Sequence, residues 1–377
     1  MSAAPQKQVH PAASALLILL ALAAVQAIWW RFLIYHPATR APAMPPSSVR
    51  PGPPAIILLG RKDVLVETYA GGPDPGDSDG PGHSARFDRP TGIALDVQSN
   101  LYVADTGNNR IRTVLPGGQT STLAGGEAGY ADGPVLQARF NAPCGVCVAP
   151  DGAVYVADTG NHCIRRIQNG QVTTVTDKPG TAAGLPAAGA PSAMIATAVA
   201  YMPGANPGLI VSDAGGRRLR KYRMDGKWES DQSLAVPPTS VVAWPQSGAA
   251  APEGGTLSLG AQTLHNVSLE SEEPMNADET RVLRLRHPIA LCPLMAGWLV
   301  TDDDFGAVFY VRGGKADVLA GYASSSGPIY GDRDSDGASA LFGKLSGIVS
   351  DGKRYVYVAD TANNSIRRLD IAETMKQ

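Results

Sequence analysis

A chain of 377 residues with a formal charge of −2 has no clustered excess of Lys and Arg, so it lacks the electrostatic footprint of a nucleic-acid binder and no such partner is expected. Its 42 Gly and 30 Pro announce many turns, and a hydrophobic fraction of 44% is enough for a packed core.

The amino terminus stands apart from the rest. "AASALLILLALAAVQAIWWRFLIY", Ala12–Tyr35, is almost wholly apolar until Arg31. About 20 such residues suffice for one hydrophobic helix that crosses a bilayer, and Trp29, Trp30 and Tyr35 suit its headgroup boundary. The alternative is a cleaved signal peptide, with the small residues Val25 and Ala27 at the −3 and −1 places before the cut. Either reading sends the remainder of the chain into or across a membrane system, on the lumenal or extracellular side. "HPATRAPAMPPSSVRPGPP", His36–Pro54, is a Pro-rich spacer.

From Ala55 onward short strand-like runs alternate with Gly, Pro, Asn and Asp clusters, the pattern of an all-β fold. "YVADTGNNRIRTV" at 102–114 returns as "YVADTGNHCIRRI" at 155–167 and "YVADTANNSIRRL" at 357–369. The Asp of this phrase recurs at Asp105, Asp158, Asp213, Asp302 and Asp360, with gaps of 53, 55, 89 and 58 residues. The long gap is expected to hide a degenerate copy built from "TSVVAWP", "GTLSLGAQ", "TLHNVSLE" and "ETRVLRL", giving six units. Four strands per unit at this period predict a six-bladed β-propeller. The last unit, Leu341–Ile371, has only three strands, and "DVLVETYAGG" (Asp63–Gly72) is expected to close the ring as its fourth.

"RPTGIALDVQSNLYVADTGNNRIRTV", "APCGVCVAPDGAVYVADTGNHCIRRI" and "KLSGIVSDGKRYVYVADTANNSIRRL" resemble NHL repeats, and the linkers "DGPGHSARFDRP", "DGPVLQARFNAP" and "DGASALFGKL" agree with that. The resemblance implies a six-bladed propeller over about 65–377 and says little about activity. The chain therefore divides into 1–36 (signal anchor or signal peptide), 37–54 (linker) and 55–377 (NHL-repeat propeller).

Asp105, Asn108, Asn109, Asp158, Asn161, Asp360 and Asn363 are expected to be turn-formers: short polar side chains bond the backbone of their own turn, and Asn tolerates positive φ. Arg165, Arg166, Arg367 and Arg368 read as a solvated or bridging rim. Asp332, Asp334 and Asp336 have the spacing of half a calcium loop, but Gly343 stands where an EF-hand needs Glu, and no cofactor is expected. In the peptidylglycine amidating lyases, a similar propeller family, zinc is held by histidines near the starts of inner strands. The positions taken as matching here are Thr91, Cys144, His287 and Ser346, of which one is His. Cys144, Cys147, Cys163 and Cys292 are expected to be free thiols, and Asn266, in Asn266-Val267-Ser268, is the better glycan acceptor of two sequons.

In a four-stranded blade the linkers 72–90, 126–143 and 322–344 should emerge at the same end as the "DTGNN" turns. That end, around Thr91, Cys144, His287 and Ser346, is where a protein or glycan partner is expected to bind. The leading reading is a non-catalytic recognition module, membrane-tethered through residues 12–35 or secreted. The alternative is a metal-dependent hydrolase or lyase with its site in the central channel.

Overall fold

The repeated phrase folds as expected into one unit of sheet. In the first blade "TGIAL", "LYVAD", "RIRTV" and "TSTLAG" lie in the strands Pro90–Leu95, Leu101–Asp105, Arg110–Val114 and Gln119–Gly125, antiparallel neighbours in chain order. This is a computed structural model of the chain. It describes residues 57–176, 194–233, 240–243, 256–259, 268–269, 285, 287–295, 297–312, 315–324 and 327–373. The described residues belong to one compact unit, Ala55–Gln377. The apolar run Ala12–Tyr35, the Pro-rich spacer and Asn266 lie outside them. Among the described residues no helix is long and apolar enough to cross a membrane.

Five such blades are present among the described residues, not six. The second is Pro143–Val148, Val154–Asp158, Cys163–Gln168 and Gln171–Thr174, and the third is Ala196–Met202, Gly208–Asp213, Arg218–Arg223 and Trp228–Ser233. The penultimate blade is Pro288–Leu294, Gly297–Asp302, Ala307–Arg312 and Lys315–Ser324. The closing blade joins Leu345–Ser350, Tyr355–Asp360 and Ser365–Asp370 to Leu65–Gly71.

Where a sixth blade was expected, Ser240–Ala243 and Thr256–Leu259 form a two-stranded sheet whose first strand touches Ala196–Met202 on one side and Pro288–Leu294 on the other. Ser268–Leu269, expected in that same unit, instead pairs in parallel with Lys315–Ala316 of the penultimate blade. The physical reason lies in the sequence. Every full blade has an Asp at the end of its second strand, whereas residues 234–285 hold one Asp, Asp278, with Leu285 seven residues later.

Ring closure uses the amino-terminal strand. Leu65–Gly71 runs antiparallel to Ser365–Asp370, with Val66 opposite Leu369 and Thr68 opposite Arg367. An additional strand, Ile57–Leu59, lies on the outer edge of the penultimate blade against Tyr322–Ser324.

The linkers depart from expectation. They do not stay at one end but run down the outside of the following blade and return. Gly80–Pro81, Gly133–Pro134 and Ser335–Asp336 pair with the starts of the outermost strands at Gln119–Thr120, Gln171–Val172 and Leu65–Val66. The Asp-Gly bends thus form a short fifth strand that covers an edge otherwise open to association. On the way back each linker inserts a phenylalanine between blades: Phe87, Phe140 and Phe342 are all fully buried.

At the axis the innermost strands crowd together, and glycine makes that possible. A Cβ on Gly145 would lie 2.6 Å from Ala198 Cα, and one on Gly347 would lie 2.5 Å from Thr91 O. Gly92 would likewise overlap the Cys144 carbonyl oxygen. Gly145→Val should therefore destabilise the domain by about 3 kcal/mol through overpacking, measured as a lowered urea midpoint at unchanged m-value. An unchanged midpoint would contradict this packing of the axis.

Candidate functional site

Each repeated Asp sits at the end of a second strand and is fully buried: Asp105, Asp158, Asp213, Asp302 and Asp360. In the first blade Asp105 Oδ1 accepts the Asp88 N–H at 2.8 Å, while Oδ2 accepts Asn108 Nδ2 at 2.9 Å and Arg112 Nη1 at 2.8 Å. The second blade repeats this with the Asn141 N–H, Asn161 and Arg165 at 2.8 Å each. The closing blade repeats it with the Gly343 N–H at 3.0 Å, Asn363 at 2.9 Å and Arg367 at 3.1 Å.

Of the four arginines read as a rim, Arg166 and Arg368 are half-buried, and Arg165 and Arg367 are not on a rim at all. Arg112, Arg165 and Arg367 are fully buried, because alternation along the third strand turns them inward. Arg165 donates to Asp158 and Asp132 and to the carbonyls of Arg139 and Ala131, and its guanidinium lies over the Phe140 ring at 5.1 Å. Arg112 does the same with Asp79, Arg86 O, Ser78 O and Phe87; Arg367 with Asp334, Leu341 O and Phe342. Burial pushes the carboxyls of Asp105 and Asp158 up and that of Asp360 up to about 6, against the opposing pull of the partners just named.

The Asn residues divide the remaining work. Asn108, Asn161 and Asn363 also donate to Gly76 O, Gly129 O and Gly331 O at 2.6, 2.7 and 2.7 Å, tying turn to linker. Asn109 has φ 54° and accepts the Ala142 N–H at 2.8 Å, across the boundary to the next blade. Asn364, at φ 50°, accepts the Arg89 N–H at 2.9 Å and so bridges the ring's two ends. In these three blades the repeated Asp carboxylates hold the preceding linker and an arginine; only Asp213 and Asp302 accept N–H groups of their own turns, from Gly216 and from Asp304 and Phe305.

The penultimate blade replaces the charged centre. Phe305 and Phe309 stand where the first, second and closing blades place Asn and Arg, and their rings pack at 5.8 Å. Its turn reads Asp302-Asp303-Asp304 instead of Asp-Thr-Gly. Beside it His287 Nδ1 lies 2.6 Å from Asp303 Oδ1, and ligand atoms of His287, Asp303 and Asp304 all fall within 4.8 Å of one another. Tyr330 donates its hydroxyl to Asp303 O at 2.7 Å, and burial together with the carboxylates of Asp303, Asp304 and Asp302 pushes it up to about 12.

The four channel-mouth residues are not brought together as a set. Thr91, Cys144 and Ser346 follow the first residue of their innermost strands, opposite the repeated Asp, and the matching residue in the penultimate blade is Ile289. His287 precedes its strand and stands outside the channel wall. The shorter approach of fifteen residues from His287 to Asp302, against seventeen from Asp88 to Asp105, hid the offset. Thr91 Oγ1 lies 2.6 Å from Thr106 Oγ1 and donates to Cys144 O at 2.9 Å; Ser346 Oγ lies 2.5 Å from Thr361 Oγ1 and donates to Thr91 O at 3.2 Å. These hydroxyls stitch blade to blade. Asp334 and Asp332 of the calcium-like linker turn to Arg367, at 2.7 and 3.4 Å. All four cysteines are free, and burial pushes the thiols of Cys147, Cys163 and Cys292 up to about 12.

Residues 87–113 and 140–167 match the NHL repeat. The chain carries NHL repeats. Each match runs from the buried linker phenylalanine, or the same position, to the third strand that carries the inward arginine. The chain is 28% identical over 303 residues to NHL repeat-containing protein 2 of Homo sapiens, covering 74% of this chain and 38% of that protein. It is 41% identical over 122 residues to NHL repeat-containing protein 2 of Gallus gallus, 29% of this chain and 17% of that one. The chain thus spans well under half the length of these curated relatives. An auxiliary nutrient binding protein from Bacteroides ovatus has a similar fold, with a TM-score of 0.57 at 14% identity over 81% of this chain and 76% of that one. The closing blade repeats the NHL geometry of the first two residue for residue at Asp360, Asn363 and Arg367.

Asp158→Asn or Arg165→Ala should each cost about 3–5 kcal/mol, since each strands a buried partner. The Asp158→Asn/Arg165→Met pair should cost much less than the sum of its single substitutions, read from urea denaturation; additivity would deny the coupling. His287 should titrate above 6.5, because its hydrogen bond to Asp303, and then the neighbouring carboxylates, favour the imidazolium. A raised folded value means the pair's stabilisation is fully present below pH 6.5 and is lost as pH rises through that value. NMR titration of wild type and Asp303→Asn checks this, the variant moving back toward 6.5.

Proposed function

We propose that the chain is a recognition module that binds a protein partner at the end of the propeller carrying the "DTGNN" turns, held near a membrane by Ala12–Tyr35 or released after cleavage of that segment. The observation that carries the reading is a patch at the penultimate blade. Ile329 and Tyr330 are exposed there beside His287, Asp303 and Asp304, on loops fastened by the Tyr330–Asp303 bond and by Asn363 to Gly331. Apolar contact area next to ionisable groups, presented by a rigid scaffold, is what a protein interface uses. The hydroxyls of Thr91, Thr106, Ser346 and Thr361 are engaged in holding blades together, which supports a structural role for the channel mouth over a nucleophilic one.

Affinity capture with the full-length chain, followed by Ile329→Asp and Tyr330→Ala, tests this. Both substitutions should abolish recovery of the captured partner, while Leu136→Asp, an exposed site near the tip of a linker at the other end, should leave it intact. The reverse pattern would move the interface to the opposite end, and recovery of a glycan instead would replace the partner class. Metal analysis of the same protein addresses the hydrolase alternative. One tightly held divalent ion per chain, lost with His287→Ala, would favour an enzyme and would move its site from the channel to the turn of the penultimate blade.

A further inference from the structure

The central channel encloses about 770 Å³, within the range of small-molecule sites. Its wall among the described residues is made by the five innermost strands, from Thr91–Leu95 round to Ser346–Ser350, and it contains no Asp, Glu, Lys, Arg or His. Each of the five is the terminal strand of its sheet, paired on one side only. The wall therefore offers backbone N–H and C=O groups on open strand edges between Ile93, Val146, Val199, Leu291 and Ile348.

The two ends of the channel differ. At the mouth beside the "DTGNN" turns, the carbonyls of Cys144, Thr91 and Ser346 are already capped by Thr91, Ser346 and Thr301 hydroxyls. Toward the other end the wall turns apolar, with Leu95, Val148, Pro150, Pro203 and Pro293. Tyr201 stands among them, and its hydroxyl has no hydrogen-bond partner among the described residues.

We propose that this channel is a binding site for an uncharged, mostly apolar small molecule bearing carbonyl, amide or hydroxyl groups. A charged ligand would leave water for a wall whose described residues offer no counter-charge, a cost that only a paired or fully solvated ion avoids. A neutral molecule loses little on entry, buries apolar area against the lower wall and can meet the Tyr201 hydroxyl and the open strand edges. The site is separate from the proposed protein interface, so either can fail without the other.

Nile red, an uncharged solvatochromic dye, is the probe, used with the purified full-length chain so that any signal from Ala12–Tyr35 is common to every variant. Wild type should give a saturable, blue-shifted signal of one dye per chain. Leu95→Trp and Val148→Trp, which fill the channel from neighbouring strands, should each weaken it by about tenfold or more, with folding confirmed by circular dichroism. Tyr201→Phe should weaken it about 2- to 10-fold, the worth of one hydrogen bond. Leu136→Asp, on the outer surface, should change nothing, and the anionic dye anilinonaphthalene sulfonate should not compete. If one filling variant fails to fold, the other and Tyr201→Phe still decide. No saturable component, equal binding by the folded filling variants, or displacement by the anionic dye would each overturn the proposal.

Discussion

The propeller depends on a buried carboxylate–guanidinium pair written into its repeat. Asp158 and Arg165, seven residues apart, face each other across the second and third strands with no exposure to water. Taking both charges out of water costs several kcal/mol per ion, and mutual attraction alone does not recover it. The structure supplies what is missing. Arg165 also finds two linker carbonyls, Asp132 and the Phe140 ring, while Asp158 holds an asparagine and a backbone N–H. The pair gains its value as the centre of a network that fixes where the linker runs. An apolar substitute would pack well but would not tell the linker where to stop.

That view explains the penultimate blade. Phe305 and Phe309 replace the asparagine and arginine, and the turn that reads Asp-Thr-Gly in the first two blades carries Asp303 and Asp304 here. Asp302 still accepts the His287 N–H and the Asp303 N–H still donates to His287 O, so the turn keeps its hold on the approach while its side chains at 303 and 304 change. The exposed His287–Asp303 pair is found where the structural repeat lapses. Functional surface on a repeat scaffold is expected at such departures, because positions that serve the fold are not available for a ligand.

The strand phrase, the period and the closing amino-terminal strand were all legible, since "YVAD", "IRR" and "AGG" report alternation and turns directly. The burial of Arg112, Arg165 and Arg367 was not. Strand alternation says that one arginine of a pair turns inward, but not that the inward side already holds an Asp, two carbonyls and a phenylalanine brought by a linker some 26 residues earlier. The linker path was hidden for the same reason: Gly80–Pro81 and Gly133–Pro134 are two-residue strands with no periodicity to read. Matching His287 to Thr91 failed because the penultimate blade spends two fewer residues between linker and Asp than the first. Reading a sixth unit from the long gap and its four strand-like segments overreached, because the sequence between Asp213 and Asp302 repeats no Asp–Arg latch of the first blades.

The closing blade shows what happens when chain continuity is withdrawn. Elsewhere the outermost strand comes after the third through a tight turn; here Leu65–Gly71 must find Ser365–Asp370 from the far end of the chain. The seam is reinforced accordingly. Arg368 pairs with Glu67 and lies over both Tyr69 and Tyr355, at 4.8 and 4.6 Å, while Tyr69 donates to Leu115 O and accepts the Gly117 N–H of the first blade. Asn364 adds bonds to Arg89 N and Pro73 O. Bringing distant segments together costs loop entropy that grows only with the logarithm of the intervening length. A few specific contacts are therefore enough to hold a loop of roughly 300 residues shut, and they must be specific, because the free edge of Ser365–Asp370 would accept any strand. The tyrosines and the Arg368–Glu67 pair select this one, which makes the seam, rather than any single blade, the place where the ring's identity is decided.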